Sequence, residues 1–308
     1  MHERGLQFRD LPRTHRHRPR SARQAPTQKV DTRHLESEVQ LIIVKLIGGL
    51  GNQMFQYAFG RNLSGRLGVQ LKLDISGFET YRLRRYSLGA LNIVEAFASN
   101  HEIAMSPHVS EVGFAFDPRA LLLPDGCHLD GYWQSEKYFA GCDEILREEF
   151  SVRTALKGPS VELAQRMRSQ TSVSLHVRRG DYVANPHTAA VHHVCDAEYY
   201  ERCIDYMGGK LENPEFFVFS DEPEWARENL RIPYPTTVVS HNDVLSDYDD
   251  LRLMGMCDHH IIANSSFSWW GAWLNPSSEK IVIAPRLWFG PSGPQDTQDV
   301  VPSNWVRM

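Results

Sequence analysis

The sequence predicts an α/β protein built on a parallel sheet, and three observations carry that prediction. From residue 172 to residue 284, short apolar runs of strand length alternate with helix-length segments, which is the pattern of βαβ units. Polar clusters follow three of those runs directly: His176-Val-Arg-Arg-Gly-Asp181, Phe219-Ser220-Asp221 and Asn264-Ser265-Ser266. Ligands on parallel sheets bind at the carboxyl ends of strands, so three such clusters reinforce one another. A glycine turn, Gly48-Gly49-Leu50-Gly51-Asn52-Gln53, separates a strand-like run from a helix-like one near the start of the folded part.

Residues 1–38 stand apart. Nine basic residues (Arg4, Arg9, Arg13, Arg16, Arg18, Arg20, Arg23, Lys29, Arg33) face four acids (Glu3, Asp10, Asp31, Glu36) up to position 36, with almost no periodic apolar face. Such composition reads as a disordered segment. It is either a solvated tail or a peripheral contact with an anionic membrane. The folded part begins at Val39. A strand to Ile47 leads through the glycine turn into a helix from Met54 to Leu67, then a strand at 69–75. Residues 76–125 are punctuated by Pro, Gly and Asn and carry no clear period. A strand is expected at 128–134 and a helix at 138–150. Lys157-Gly158-Pro159 marks a domain boundary, giving units 39–158 and 159–308. In the second unit strands are expected at 172–177, 215–219, 236–240, 259–263 and 280–284. The helices between them are expected at 196–207, 223–230, 246–257 and 267–274.

Composition excludes several classes. At 42% hydrophobic and 10% aromatic the chain is an ordinary globular protein. A net charge of -5 gives no support for nucleic-acid binding. Five widely spaced cysteines without a CxxC pair argue against a disulfide framework or a zinc ribbon and favour a reducing compartment. No apolar run approaches the roughly 18–20 residues of a membrane span, and the first 38 residues hold no apolar leader core. The expected location is cytoplasmic, with residues 1–38 available for the inner face of the membrane.

Each cluster has a chemical and a structural reading. The glycine turn suits close backbone approach to an anion at a helix start, or it is a plain tight turn. It is neither GxGxxG nor a Walker loop. Arg178 and Arg179 alternate at a strand end, so one can reach a ligand while the other braces the fold. A guanidinium fork matches a diphosphate, though an Arg–Asp pair can also merely cap a strand. Ser265 and Ser266 read as phosphate donors or as a helix N-cap, and Ser220-Asp221-Glu222-Pro223 likewise. Trp269, Trp270 and Trp273 fit helix core better than a stacking platform. The histidines show no metal-ligand spacing. Asp247-Tyr248-Asp249 has the short DxD form of metal-dependent sugar transferases, but it lies at a helix start.

The segments GGLGNQMFQYAFGRNL, GYWQSEKYF, HVRRGDYV, FVFSDEPEWA and IIANSSFSWWGAWLNP occur in that order. Together they resemble the bacterial-type α-1,2-fucosyltransferases of glycosyltransferase family 11, from about Leu41 to Pro285. The resemblance implies a GT-B-like architecture, with two lobes on parallel sheets facing a central cleft. It also implies inverting, metal-independent transfer of L-fucose from GDP-β-L-fucose to the 2-hydroxyl of a galactoside, with no cofactor. In that frame Arg178 clamps the β-phosphate and stabilises departing GDP, and Gly49, Gly51 and Asn52 close on the diphosphate. Ser265 and Ser266 add phosphate donors, with Ser220 and Arg179 nearby, and His176 and Asp221 lie by the guanine and ribose. Asp181 is either the base for the acceptor hydroxyl or a brace for Arg179. Tyr132, Trp133 and Gln134 offer an acceptor surface. The acceptor, an oligosaccharide or lipid-linked glycan such as an O-antigen repeat, is not encoded legibly. A non-catalytic GDP-sugar or glycan-binding relative, or a transferase using another GDP-sugar, is the alternative.

Overall fold

The structure is a computed structural model. It describes residues 40–308 apart from Arg82, residues 243–245 and the side chains at 181, 184, 186 and 187. The expectations for segment 1–38 lie outside the described residues. Two parallel sheets are present, as the sequence predicts.

The first sheet holds β1 (Leu41–Lys45), β2 (Gln70–Asp74), β3 (His108–Ser110) and β4 (His128–Asp130) in the order β2-β1-β4-β3. Helix α1 (Leu50–Leu67) crosses from β1 to β2 and is buried on nearly every side as far as Ser64. A helix with no solvent stripe belongs inside a core. It starts at Leu50 rather than Met54, because the glycine turn is its first turn: Asn52 and Gln53 donate their N–H groups to the Gly49 carbonyl at 3.0 and 3.1 Å. Gly48, with φ +79, makes the reversal before it.

Three expectations in this half need correction. The strand at 128–134 stops at Asp130, because the chain turns at Trp133, whose φ of 54 is rare for a bulky residue. The helix at 138–150 is split: a 3₁₀ turn (Glu136–Phe139) and α3 (Asp143–Glu149) flank Gly141, whose φ of +89 no ordinary helix accommodates. The unreadable stretch contains α2 (Asn100–Met105), started by a Ser99–Glu102 capping box, and the edge strand β3.

After α4 (Pro159–Ser169), which the sequence reading lacked, comes β5 (Ser172–Val177), buried along its whole length. Two short helices, α5 (Gly180–Ala184) and α6 (Pro186–Val191), precede α7 (Ala197–Gly208) and β6 (Glu215–Ser220). Then follow α8 (Pro223–Asn229), β7 (Thr236–Val239), α9 (Asp247–Met256), β8 (His259–Ile261), α10 (Ser266–Leu274), β9 (Val282–Ala284) and β10 (Val306–Arg307). The sheet order is β10-β9-β8-β5-β6-β7, all parallel. Side chains alternate across it. On β6, Phe216 and Val218 join Tyr200 and Ile204 of α7, while Phe217 and Phe219 join Met167 of α4 and Leu253 of α9.

Helix α10 follows a strand of the second sheet, yet its tryptophans sit in the core of the first. Trp269 and Trp270 lie 4.5 and 4.9 Å from Phe55 of α1, and Trp270 stacks on Phe139 at 5.3 Å. The Trp270 indole N–H donates to the Gly51 carbonyl at 3.0 Å and that of Trp269 to Val300 at 2.8 Å. These tryptophans are core, as the helical spacing implies. Gly51 is the contact point: a Cβ there would fall 2.5 Å from the backbone nitrogen of Phe267. Backbone cannot rotate aside as a side chain does. Gly51→Ala should therefore destabilise the fold by about 3 kcal/mol, read as a lowered urea midpoint. An unchanged midpoint would contradict this packing.

Candidate functional site

The register of β5 on β6 pairs Val177 with Ser220, so the next residues, Arg178 and Asp221, meet at the joint carboxyl ends. Asp221 Oδ2 pairs with Arg178 Nη1 at 2.8 Å, and Asp221 Oδ1 accepts the Arg179 N–H at 3.0 Å. Gly180 makes this possible, since a Cβ there would stand 2.6 Å from Asp221 Oδ2. The Arg-Gly-Asp tripeptide is thus a close-packed strand end. Arg179 points elsewhere: it pairs with Glu222 at 3.2 Å and lies over the Trp225 ring at 4.0 Å. Glu222 thus braces Arg179. The Asp181 side chain lies outside the described residues.

Asp221, expected by the guanine and ribose, has both oxygens engaged by the HVRRGD segment. Ser220 accepts the Glu222 N–H through its hydroxyl at 2.9 Å, a turn contact. His176 lies two residues before Arg178 on the same side of β5 and is almost fully buried. Burial first, and then the charge of Arg178, push its pKa down to about 3, so the ring is neutral at physiological pH. Its Nδ1 is buried without a hydrogen-bond partner, an uncommon condition that calls for an explanation. The Arg178 guanidinium also lies 5.3 Å from the Tyr182 ring, whose hydroxyl donates to the Asn264 carbonyl.

On the opposite lobe three motifs meet at one amide. Asn52 Oδ1 accepts from Ser266 Oγ at 2.6 Å and from Gln134 Nε2 at 3.0 Å. The glycine turn, the GYWQ segment and the NSSF segment are thereby joined. Buried Gln53 adds a second clamp, donating to the Gly48 and Arg85 carbonyls and accepting from the Ser87 N–H, each at 2.8 Å. Gly51 packs against the start of α10, where a Cβ would meet the backbone of Ser266 and Phe267. Gly49 remains roomier, with only Arg84 atoms 3.7 Å from a Cβ position. Ser265 precedes α10 as its N-cap but makes no side-chain cap bond.

The acceptor expectation needs a further correction. Trp133 is buried between Phe59, at 4.5 Å, and Tyr138, so it offers no face to a sugar. Tyr132 is only half-buried. Glu111, which nothing local in the sequence marks, accepts the Tyr132 N–H at 2.7 Å and the Trp133 N–H at 3.0 Å. Burial pushes its pKa up to about 7, against those two bonds and with the help of Asp296. Of the DxD residues, Asp249 pairs with Arg252 on its own helix. Among the described residues no three His, Cys, Asp or Glu side chains are grouped to hold a metal ion, and no helix is long and apolar enough to cross a membrane.

Residues 119–308 match the model of glycosyl transferase family 11. The chain is 35% identical to an alpha-1,2-colitosyltransferase of Escherichia coli, over 88% of this chain and 99% of the relative. It is 31% identical to the O-antigen biosynthesis glycosyltransferase WbnK of the same species, over 85% and 99%. It is 29% identical to galactoside alpha-(1,2)-fucosyltransferase 1 of Saimiri sciureus, over 47% of this chain and 42% of that one.

Glu111 gives a signed pH dependence. Its carboxyl titrates near 4.5 unfolded and about 7 folded, so the folded state holds the proton more tightly. That stabilising contribution is complete below about pH 4.5 and lost as pH rises through about 7. Glu111→Gln, neutral throughout, should gain on the wild type by up to about 3 kcal/mol between those limits. Urea unfolding at pH 4.5 and 8 measures it, and a pH-independent difference would contradict it.

Proposed function

The chain belongs to glycosyl transferase family 11, and from that premise we propose that it transfers L-fucose from GDP-β-L-fucose to the 2-hydroxyl of a galactose-bearing glycan. Arg178 carries the reading. It is a guanidinium oriented by Asp221 at the joint carboxyl end of two central strands, where a parallel sheet presents ligands. Asp221 orients the guanidinium, and the planar fork of N–H donors on such a group matches the oxygens of a diphosphate.

The reaction is a displacement. The acceptor oxygen bonds to the anomeric carbon from the face opposite GDP, the bond from that carbon to the β-phosphate oxygen breaks, and the configuration inverts. Charge grows on the departing diphosphate, and a fixed cation aimed at that charge stabilises the transition state more than the ground state. In this reading no metal is required, because Arg178 supplies the positive charge. Asp181 takes the acceptor proton. Neutral His176, with its unpartnered Nδ1, offers a hydrogen bond to the nucleotide side. The 1,2 linkage has the support of the colitosyl and fucosyl relatives.

One observation favours a second donor. The 35% relative is a colitosyltransferase, and colitose is fucose without its 3-hydroxyl. A site that hydrogen-bonds a hydroxyl rejects the analogue lacking it by roughly 10⁴–10⁵, so the two donors separate cleanly in an assay. Transfer to β-galactosides is measured from GDP-fucose and from GDP-colitose, with EDTA present. Fucosyl product from the wild type and a fall of about 10²–10³ in kcat for Arg178→Ala is the expected result. Preference for GDP-colitose would replace the donor. Loss of activity with EDTA would overturn the metal-free reaction and bring back Asp247 and Asp249.

A further inference from the structure

Five rings run in series across the junction of the two lobes. Tyr182 stacks on His192 at 4.3 Å and 12°. His192 lies 5.3 Å from Phe289, Phe289 lies 4.9 Å from Phe114, and Phe114 stacks on Tyr132 at 5.9 Å and 28°. The first three belong to the second half of the chain, the last two to the first. The series starts at Arg178, 5.3 Å from the Tyr182 ring. It ends at Glu111, whose carboxylate holds the Tyr132 N–H.

All five are half-buried, unlike Trp133, Trp269 and Trp270, which are enclosed. The backbone at Phe114 and beside its neighbours in the row is tied down. The Phe114 N–H donates to Asp296 Oδ2 at 3.0 Å, the Phe116 N–H to Asp299 Oδ2 at 3.0 Å, and the Gly290 N–H to the Val191 carbonyl at 2.8 Å. Tyr182 and His192 cover a face of each other, and the parts of Phe289, Phe114 and Tyr132 that remain open to solvent form an apolar strip, held in place, that is pre-organised for a ligand with flat apolar faces of its own. Galactose has one, where the C–H bonds at C3, C4 and C5 share a side of the ring. The row's steps match a chain of sugars better than a single one.

Resting on the proposed transfer reaction, we propose that this row is the acceptor subsite for the sugars beyond the galactose that receives the group. Phe114 and Phe289, which meet across the lobes, select acceptors longer than one residue. The row leads from the group that holds the leaving diphosphate to the GYWQ turn, so an oligosaccharide lying on it has its terminal galactose at Arg178.

The test compares methyl β-D-galactoside with a β-galactosyl trisaccharide as acceptors for the wild type, Phe114→Leu and Phe289→Leu. Leucine keeps bulk and removes the ring. The trisaccharide KM should rise about three- to tenfold, the monosaccharide KM should move less, and Phe114→Tyr should restore the wild-type value. Equal rises for both acceptors, or a matching rise in the dissociation constant for GDP, would make the rings structural and overturn the proposal. Saturation-transfer NMR of the trisaccharide with GDP present decides the subsite without turnover. Wild-type signals lost in Phe114→Leu support it, and signals absent from the wild type or unchanged in the variant refute it. The donor reading fails separately, by absence of transfer to any acceptor.

Discussion

The structure depends on one close contact, the approach of the start of α1 to the start of α10. Two helix ends meet there with no side chain between them, because position 51 is glycine. Everything polar at the junction follows from that approach. Gly51 offers its carbonyl to Trp270, Asn52 reaches Ser266, and Gln134 closes on the same amide. A β-carbon at position 51 would separate the lobes and break all three. The tryptophans of α10 hold the contact from behind, and burial of aromatic rings of this size dominates a core. A helix that belongs by sequence to one sheet thus completes the core of the other.

The second arrangement is electrostatic and follows from strand register. Parallel pairing of Val177 with Ser220 puts Arg178 opposite Asp221, and Gly180 lets the carboxylate approach. The pair is mutually orienting, because each group would cost free energy if left half-buried alone. The same cation, after burial, keeps His176 neutral. The cluster combines a positive charge held by Asp221 with a neutral imidazole whose Nδ1 has no hydrogen-bond partner, and these are the groups the proposed donor site draws on. Arg179, stacked on Trp225 and paired with Glu222, is the structural member of the double arginine.

Much of this was legible from residue order. Strand alternation placed Arg178 and Arg179 on different sides, and the apolar runs located β5, β6, β7 and β8 within a residue or two. The turn at Trp133 was not legible, since its positive φ is enforced by a carboxylate from Glu111, 22 residues away, and nothing local signals it. Nor was the break at Gly141, because glycine within a helical pattern signals only a tolerance for turning. The protein contacts of Gly51 and Asp221 were not legible for the same reason. Each sits in a motif that suits a ligand, and each is engaged by protein.

What the sequence by itself determined was the parallel α/β plan, the strand ends that carry polar clusters and the family to which the motifs belong. These are short-range properties, set by side-chain alternation and by the order of a few consecutive residues. What only the tertiary structure decided was which motif members touch. Asn52 and Ser266 are 214 residues apart and share a hydrogen bond, and the rings from Tyr182 to Tyr132 come from five separate stretches of chain. Pairings over such distances are set by how whole sheets and helices pack, and no local pattern encodes them.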